Sequence, residues 1–267
     1  MRDCGSGRAI AARLGMVGAL VVWATTAGAI DSDSLRLLLL GAQDMNTPQT
    51  VLRADMTIAL ETYKGPRSTQ AIAFFVPGKD ARWYLQLKEP ALAALVLGSE
   101  RKVMQRTDGS IKTVAIGEPI DDLGFAYEDL SRFVPDDFKL WQITDESPDT
   151  VLAGAHPAVE SAYVYRAYTF DKTRTIPLKV QFYAKTLNNL VKLRTDSDHV
   201  LVGKKWLPGT IEIQNFPDSS KATLTVHWSQ AATAPPELLA AESFAGAAPL
   251  PWATPPAAAS PVASPAH

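Results

Sequence analysis

The sequence predicts a mainly β protein of the α+β kind, with about ten antiparallel strands and two or three short helices. Apolar residues recur at every second position in short runs from residue 51 to residue 229. Turn-forming residues separate these runs, and no insert between them is long enough to make the crossover helix that parallel strands need. An open sheet of that size curls or closes.

Taken in chain order, residues 1–13 hold Arg2, Arg8 and Arg13 against Asp3 alone. The apolar run LGMVGALVVWATTAGA follows at 14–29 and ends in Ala27-Gly28-Ala29. A basic start, a short apolar stretch and an A-x-A close describe a secretory signal peptide cleaved after Ala29. A membrane span would need roughly 20 apolar residues, and this run is shorter and holds Gly15, Gly18, Thr25 and Thr26. Cys4, the only cysteine, lies inside it, so the mature chain has neither disulfide nor thiol nucleophile. With no cysteine after the apolar run, there is also no site for an N-terminal lipid. The expected location is the periplasm, without a lipid anchor.

DSDSLRLLLLGAQDM (31–45) has Asp and Ser ahead of a leucine cluster and Gly41 behind it, which predicts a short helix pressed onto an apolar surface. In RADMTIALET the apolar Met56, Ile58 and Leu60 alternate with Thr57 and Ala59, the pattern of a half-buried strand. QAIAFFV (70–76), RWYLQLK (82–88) and LAALVLG (92–98) continue the series. KVMQRTDGSIKTVAI (102–116) folds back on itself at Asp108-Gly109, a strong tight-hairpin signal. AYVYRAYTF (162–170), LKVQFYA (178–184), NLVKLRTD (189–196), GTIEIQN (209–215) and KATLTVHWS (221–229) repeat the pattern. AIAFFV, LAALVL and AYVYRAYTF are apolar on both faces. They need cover on both sides, from helices, a second layer or a bound apolar ligand.

The Pro, Ala and Ser of residues 235–267 leave little to bury, so this segment reads as a disordered tail in which Phe244 and Trp252 stand idle. The folded domain is then 30–234, long enough for one substantial core. Removing 1–29 takes three of the 26 basic and one of the 28 acidic residues, leaving 23 against 27. A net charge near −4 gives no reason to bind nucleic acid or anionic headgroups.

A YEDL element (127–130) is followed by TIPLKVQFY (175–183), a Lys-Leu strand (192–193), GKKWLP (203–208), IEI (211–213) and TLT (223–225). In this order and spacing, from about Arg53 to Trp228, the chain resembles the outer-membrane lipoprotein-sorting protein family, the LolA-like group. Leu123-Gly124-Phe125 stands where the family block begins Ser-Asp-Phe, Ala184 where it often has Asp, and the Pro/Ala tail lies outside its pattern. The resemblance implies a strongly curved antiparallel half-barrel covered by short helices, with acyl chains held between sheet and helices. It implies lipid or lipid-modified protein as partner, and an inner-membrane exporter or an outer-membrane acceptor at either end of transfer.

Glu128 and Asp129 are adjacent acids in an apolar setting, as an acid/base pair would be. Side chains one residue apart on a helix diverge by about 100°, however, so the two do not converge on one atom. They read as first-turn acids of a short helix favoured by its dipole, with Tyr127, Leu130, Phe133 and Val134 as its apolar stripe and Pro135 as its end. His156, His199, His227 and His267 show no ligand spacing, and no nucleophile elbow or phosphate loop is present. No catalytic residue, metal or cofactor is expected. The candidates for an apolar cavity are Phe74, Trp83, Leu85, Phe125, Tyr165 and Phe182, together with Tyr127, Leu130 and Phe133. The leading expectation is a carrier or binding protein for lipid or lipoprotein acyl chains. The alternatives are a non-catalytic envelope scaffold docking to a lipid exporter and, third, a lipid-active hydrolase.

Overall fold

The structure, a computed structural model, describes residues 31–78, 82–231 and 233–252. The expected signal peptide (1–29) lies outside them, as do residues 253–267 of the expected tail. Helix α1 (Ser32–Asn46) begins at Asp31, whose carboxylate accepts from the Ser34 N–H at 2.8 Å. Gly41 does not end this helix; it sits inside it. A Cβ there would lie 3.3 Å from Thr175 Cβ, so the missing side chain lets the helix approach the sheet closely.

The first strands are β1 (Leu52–Thr62), β2 (Gly65–Phe75), β3 (Trp83–Leu87), β4 (Leu92–Leu97), β5 (Lys102–Thr107) and β6 (Ser110–Ala115). A connecting segment then runs through the one-turn helix α2 (Tyr127–Leu130). Next come β7 (Phe138–Glu146), β8 (Thr150–Pro157), β9 (Tyr165–Asp171), β10 (Ile176–Tyr183) and β11 (Leu190–Ser197). The small hairpin β12 (Val200–Val202) and β13 (Lys205–Leu207) precedes β14 (Thr210–Asn215) and β15 (Ser220–Gln230). Thirteen strands form one sheet in the order β6-β5-β4-β3-β2-β1-β15-β14-β11-β10-β9-β8-β7, each pair antiparallel. Asp108 and Gly109 both take positive φ (49° and 77°), the geometry of the expected tight turn.

The sheet is strongly bent. Arg101, which leads into β5, and Arg166 of β9 both pair with the Glu128 carboxylate. Nine strand spacings would separate β5 from β9 by ~43 Å in a flat sheet, so only a half-closed sheet brings them together.

Side chains alternate between the two faces. On the concave face Met56, Ile58 and Leu60 of β1 pack with Trp83, Leu85, Leu224, Val226, Phe125 and Tyr127. Further round, Leu35, Leu38, Leu39 and Ala42 of α1 close over Tyr168, Phe170, Val180 and Phe182.

The convex face of β2–β4 is covered by the chain's own C-terminal segment, which corrects the reading of 235–252 as disordered. Helices α3 (Pro236–Leu239) and α4 (Ala241–Phe244) set Leu238 and Phe244 onto Ile72, Phe74, Tyr84 and Leu95. Phe244 is fully buried, meets Tyr84 edge-on at 6.3 Å and lies under the Arg106 guanidinium. Arg82 and Gln86 donate to the carbonyls of Leu239 and Leu250 at 2.8 and 2.9 Å. The two-faced strands AIAFFV and LAALVL are thus covered by the segment whose composition looked least able to pack. Its few apolar residues are spaced to meet one prepared face. Deleting residues 235–267 is expected to expose Ile72, Phe74, Tyr84 and Leu95 and make the chain associate. Light scattering that finds the shortened chain monomeric, without added binding of an apolar dye, would refute this covering role.

Candidate functional site

The site is built on the segment between β6 and β7. One helical turn forms at Tyr127–Leu130 because Asp129 reaches back to accept from the Ala126 N–H at 2.7 Å. It stops at Ser131, which is extended (φ −64°, ψ 149°). Phe133 and Val134 are therefore placed by extended chain, not by the helical stripe expected of them.

Glu128 and Asp129 are buried, and each is the centre of a set of hydrogen bonds. Glu128 accepts from Arg101 (3.0 Å), Ser161 Oγ (2.9 Å), the Ala162 N–H (2.8 Å) and Arg166. Asp129 accepts from the Tyr163 hydroxyl (2.6 Å) and Lys192 Nζ (2.8 Å), while its backbone carbonyl accepts from Arg194 Nη1 (2.7 Å). Arg194 also pairs with both oxygens of Asp196.

Ion pairing and backbone contacts hold the two acids, and not the exposed helix dipole expected for them. Burial, with the Asp129 charge beside it, pushes the Tyr163 hydroxyl far up, so it stays a neutral donor. Burial works against the charge of Arg166, but Tyr168 and Glu128 outweigh it and the guanidinium stays charged. Burial also raises Asp137, with Arg101 and Arg166 partly offsetting it.

Two small cavities flank the 130–133 segment. The first, of about 40 Å³, lies beside the ionic hub and includes Phe133, Phe138, Tyr168 and Phe182 in its lining. The second, of about 70 Å³, is mainly apolar and lies against the concave sheet, lined by Met56, Phe75, Trp83, Leu130, Leu224 and Trp228 among others. Asn46, Ser131, Arg132 and Arg194 line both. Phe75 stacks on Trp83 at 5.4 Å and meets Trp228 at 5.5 Å.

Of the residues expected at a cavity, Trp83 and Leu130 line the second and Phe133 and Phe182 the first. Leu85, Phe125 and Tyr127 lie in the filled concave core; Tyr127 takes a 2.6 Å hydrogen bond from Gln105, and burial raises its hydroxyl to about 12. Phe74 and Tyr165 are corrections, because both point to the convex face. Phe74 packs in the C-terminal layer. Tyr165 lies across Gly154, where a Cβ would fall 1.8 Å from its hydroxyl, and rests against His156 and Tyr183. In β9 the parity runs Arg166, Tyr168, Phe170 inward and Tyr165 outward.

The sequence reading missed Arg166 and Arg194. A readable signal existed for Arg166, a cation among the apolar residues of AYVYRAYTF, because the two acids in the apolar 124–133 stretch needed such partners; Arg194, in the mixed strand LVKLRTDS, gave none. Among the described residues, no three of His, Cys, Asp and Glu are grouped to hold a metal. No helix among them is long and apolar enough to cross a membrane.

A family model described as "Uncharacterized protein" matches residues 111–238, just under half of the chain. No curated protein matches it. A structure from Vibrio parahaemolyticus, described as an outer membrane lipoprotein-sorting protein domain, is 16% identical with a TM-score of 0.68, covering 76% of this chain and 94% of its own. A DUF1329 family protein from Desulfovibrio piger is 13% identical (TM-score 0.67; 77% of this chain, 95% of its own). A LolA superfamily protein from Nitrosomonas europaea is 12% identical (TM-score 0.63; 78% and 97%). At these identities the likeness establishes the fold. It is LolA-like: mainly β, one large antiparallel sheet with few short helices.

Proposed function

We propose that this chain of LolA-like fold is a periplasmic carrier or binding protein for lipid or lipid-modified protein, exported by residues 1–29. The observation that carries the reading is the apolar cavity between the concave sheet and the 130–133 segment, with α1 closing the same side of the half-barrel. A lipoprotein-sorting description among the structural neighbours agrees with it. An apolar chain gains about 0.8 kcal/mol per buried methylene, so such a surface holds one without chemistry.

The cavities are those of a closed state. Ligand pockets usually measure about 300–1,000 Å³, and the two here are far smaller. Loading therefore requires the cover to lift. Mass spectrometry of the protein purified from its native envelope without detergent is expected to find acyl lipid or lipoprotein bound. Protein free of lipid that also takes up none from vesicles would overturn the reading. The small cavity volumes favour a second reading, a non-catalytic scaffold that docks to a lipid exporter; a stable protein partner captured with no lipid would support it.

A further inference from the structure

Two tryptophans line the apolar cavity against the concave sheet, and they differ in one respect. Trp228 donates its indole N–H to the Pro208 carbonyl at 2.7 Å. Trp83, 3% exposed and stacked on Phe75, has an indole N–H without an acceptor. A buried donor left unmade gives up its hydration for nothing, so such a group in a native interior calls for an explanation.

The protein around the cavity does not supply the missing acceptor. Trp83 packs with Met56, Leu224, Phe75 and Leu130, all apolar. The polar side chains of the lining are engaged elsewhere. Asn46 donates to the Ala42 carbonyl at 2.9 Å, Ser131 to the Tyr127 carbonyl at 3.0 Å, and Arg194 to Asp129 and Asp196, while Arg132 has a partner of its own. An enclosed water needs roughly two to four polar partners, and the neighbours of Trp83 add none to the indole. An acceptor that arrives on a hydrocarbon chain fits better. The carbonyl of an acyl group is fixed to the first carbon of its chain, whereas an alkyl ether carries only a weaker acceptor.

We propose that Trp83 reads the ester carbonyl of an acyl chain, so that the apolar cavity receives the carbonyl end of that chain. The proposal rests on the carrier reading and adds a criterion for cargo to it: ester-linked acyl chains are preferred to ether-linked alkyl chains of the same length.

Competitive uptake tests it. The full chain is incubated with vesicles holding equal amounts of dilauroyl phosphatidylcholine and its didodecyl ether analogue and is recovered free of vesicles. Mass spectrometry then reads the bound lipid. One hydrogen bond predicts an ester-to-ether ratio of about five in the wild-type chain. W83F, which removes the donor and keeps an aromatic ring, should bring the ratio to about one. W228F alters the same cavity without touching the orphan donor and should leave the ratio near about five. A wild-type chain without preference would overturn the proposal and leave the carrier reading intact, a result that needs no variant to fold. Uptake of neither lipid would overturn both. A preference that survives W83F, or that W228F abolishes equally, would mean that the shape of the cavity selects, and would also overturn it.

Discussion

Joining α1 to the turn between β9 and β10 by a disulfide, with G41C/T175C, is expected to abolish lipid loading while the fold is kept, and reduction is expected to restore it. A Cβ on Gly41 would stand 3.3 Å from Thr175 Cβ, within a few tenths of an ångström of the 3.5–4.5 Å that a disulfide spans. Thr175 holds φ at +52°, a conformation that suits a β-branched residue poorly, so cysteine costs less there than threonine does. Cys4 is the only native cysteine, and the variant expressed from Ile30 onward lacks it, so no other thiol competes.

The lock matters because α1 is the weaker of the two covers. It is held by Leu35, Leu38, Leu39 and Ala42 and by Lys205 on Asp44 at 3.0 Å, whereas the 127–130 turn is tied by the buried ionic hub. Exposing three leucines costs ~5–9 kcal/mol, and each buried methylene of an incoming chain returns ~0.8 kcal/mol. Roughly six to eleven methylenes are needed to offset the opening, so loading should rise steeply near ten carbons. Uptake from phosphatidylglycerol vesicles, with and without reductant, reads the result. An oxidised variant that loads as fast as the reduced one would show that α1 is not the lid.

Legibility in the sequence followed local periodicity. β1 was readable because burial alternates in it, β3 and β4 because they are short, mostly apolar runs bounded by turn residues, and the hairpin at Asp108-Gly109 because its turn chemistry is specific. β7 and β8 were not. β7 is largely exposed on both faces and interrupted by irregular register at Lys139/Gln142 and Ile143/Asp145, so no period of two survives. β8 (TVLAGAHP) is built of small residues, because Tyr165 needs the space above Gly154. The tail misled for a compositional reason. Proline and alanine dominate it, yet Leu238, Phe244 and Leu250 fall where the uncovered outer face of β2–β4 needs them.

The site was half legible. Assigning an aromatic to the concave or convex face requires the strand's parity, and a boundary error of one residue reverses it. Trp83 faces the concave side, whereas Phe74 and Tyr165 face the convex one. Glu128 and Asp129 were readable as first-turn acids, but their partners lie on β9 and β11, 38 and 65 residues away at Arg166 and Arg194. Only closure of the half-barrel brings those cations in.

That closure makes Glu128→Ala the most damaging single change expected in the chain. The carboxylate is fully buried and accepts from two guanidiniums, a hydroxyl and a backbone N–H. Removing it leaves Arg101 and Arg166 facing each other without their shared anion, and breaking a buried pair costs about 3–5 kcal/mol. In a domain of this size each kcal/mol moves Tm by about 2–4 °C, so a fall of about 10 °C is expected by circular dichroism at pH 7. Glu128→Gln keeps an oxygen for the Ala162 N–H and the shape of the side chain, and should recover part of that loss.

Hydrogen exchange locates the effect. Protection should fall at the amide of residue 128, which donates to the Ile116 carbonyl, and at Arg166 on the far arm of the sheet. The β1–β15 pairing between them should stay protected. A loss below about 1 kcal/mol, or exchange that rises evenly through the sheet, would mean that apolar packing against Phe125 and Tyr127 closes the half-barrel and that the ionic hub only fills space already enclosed.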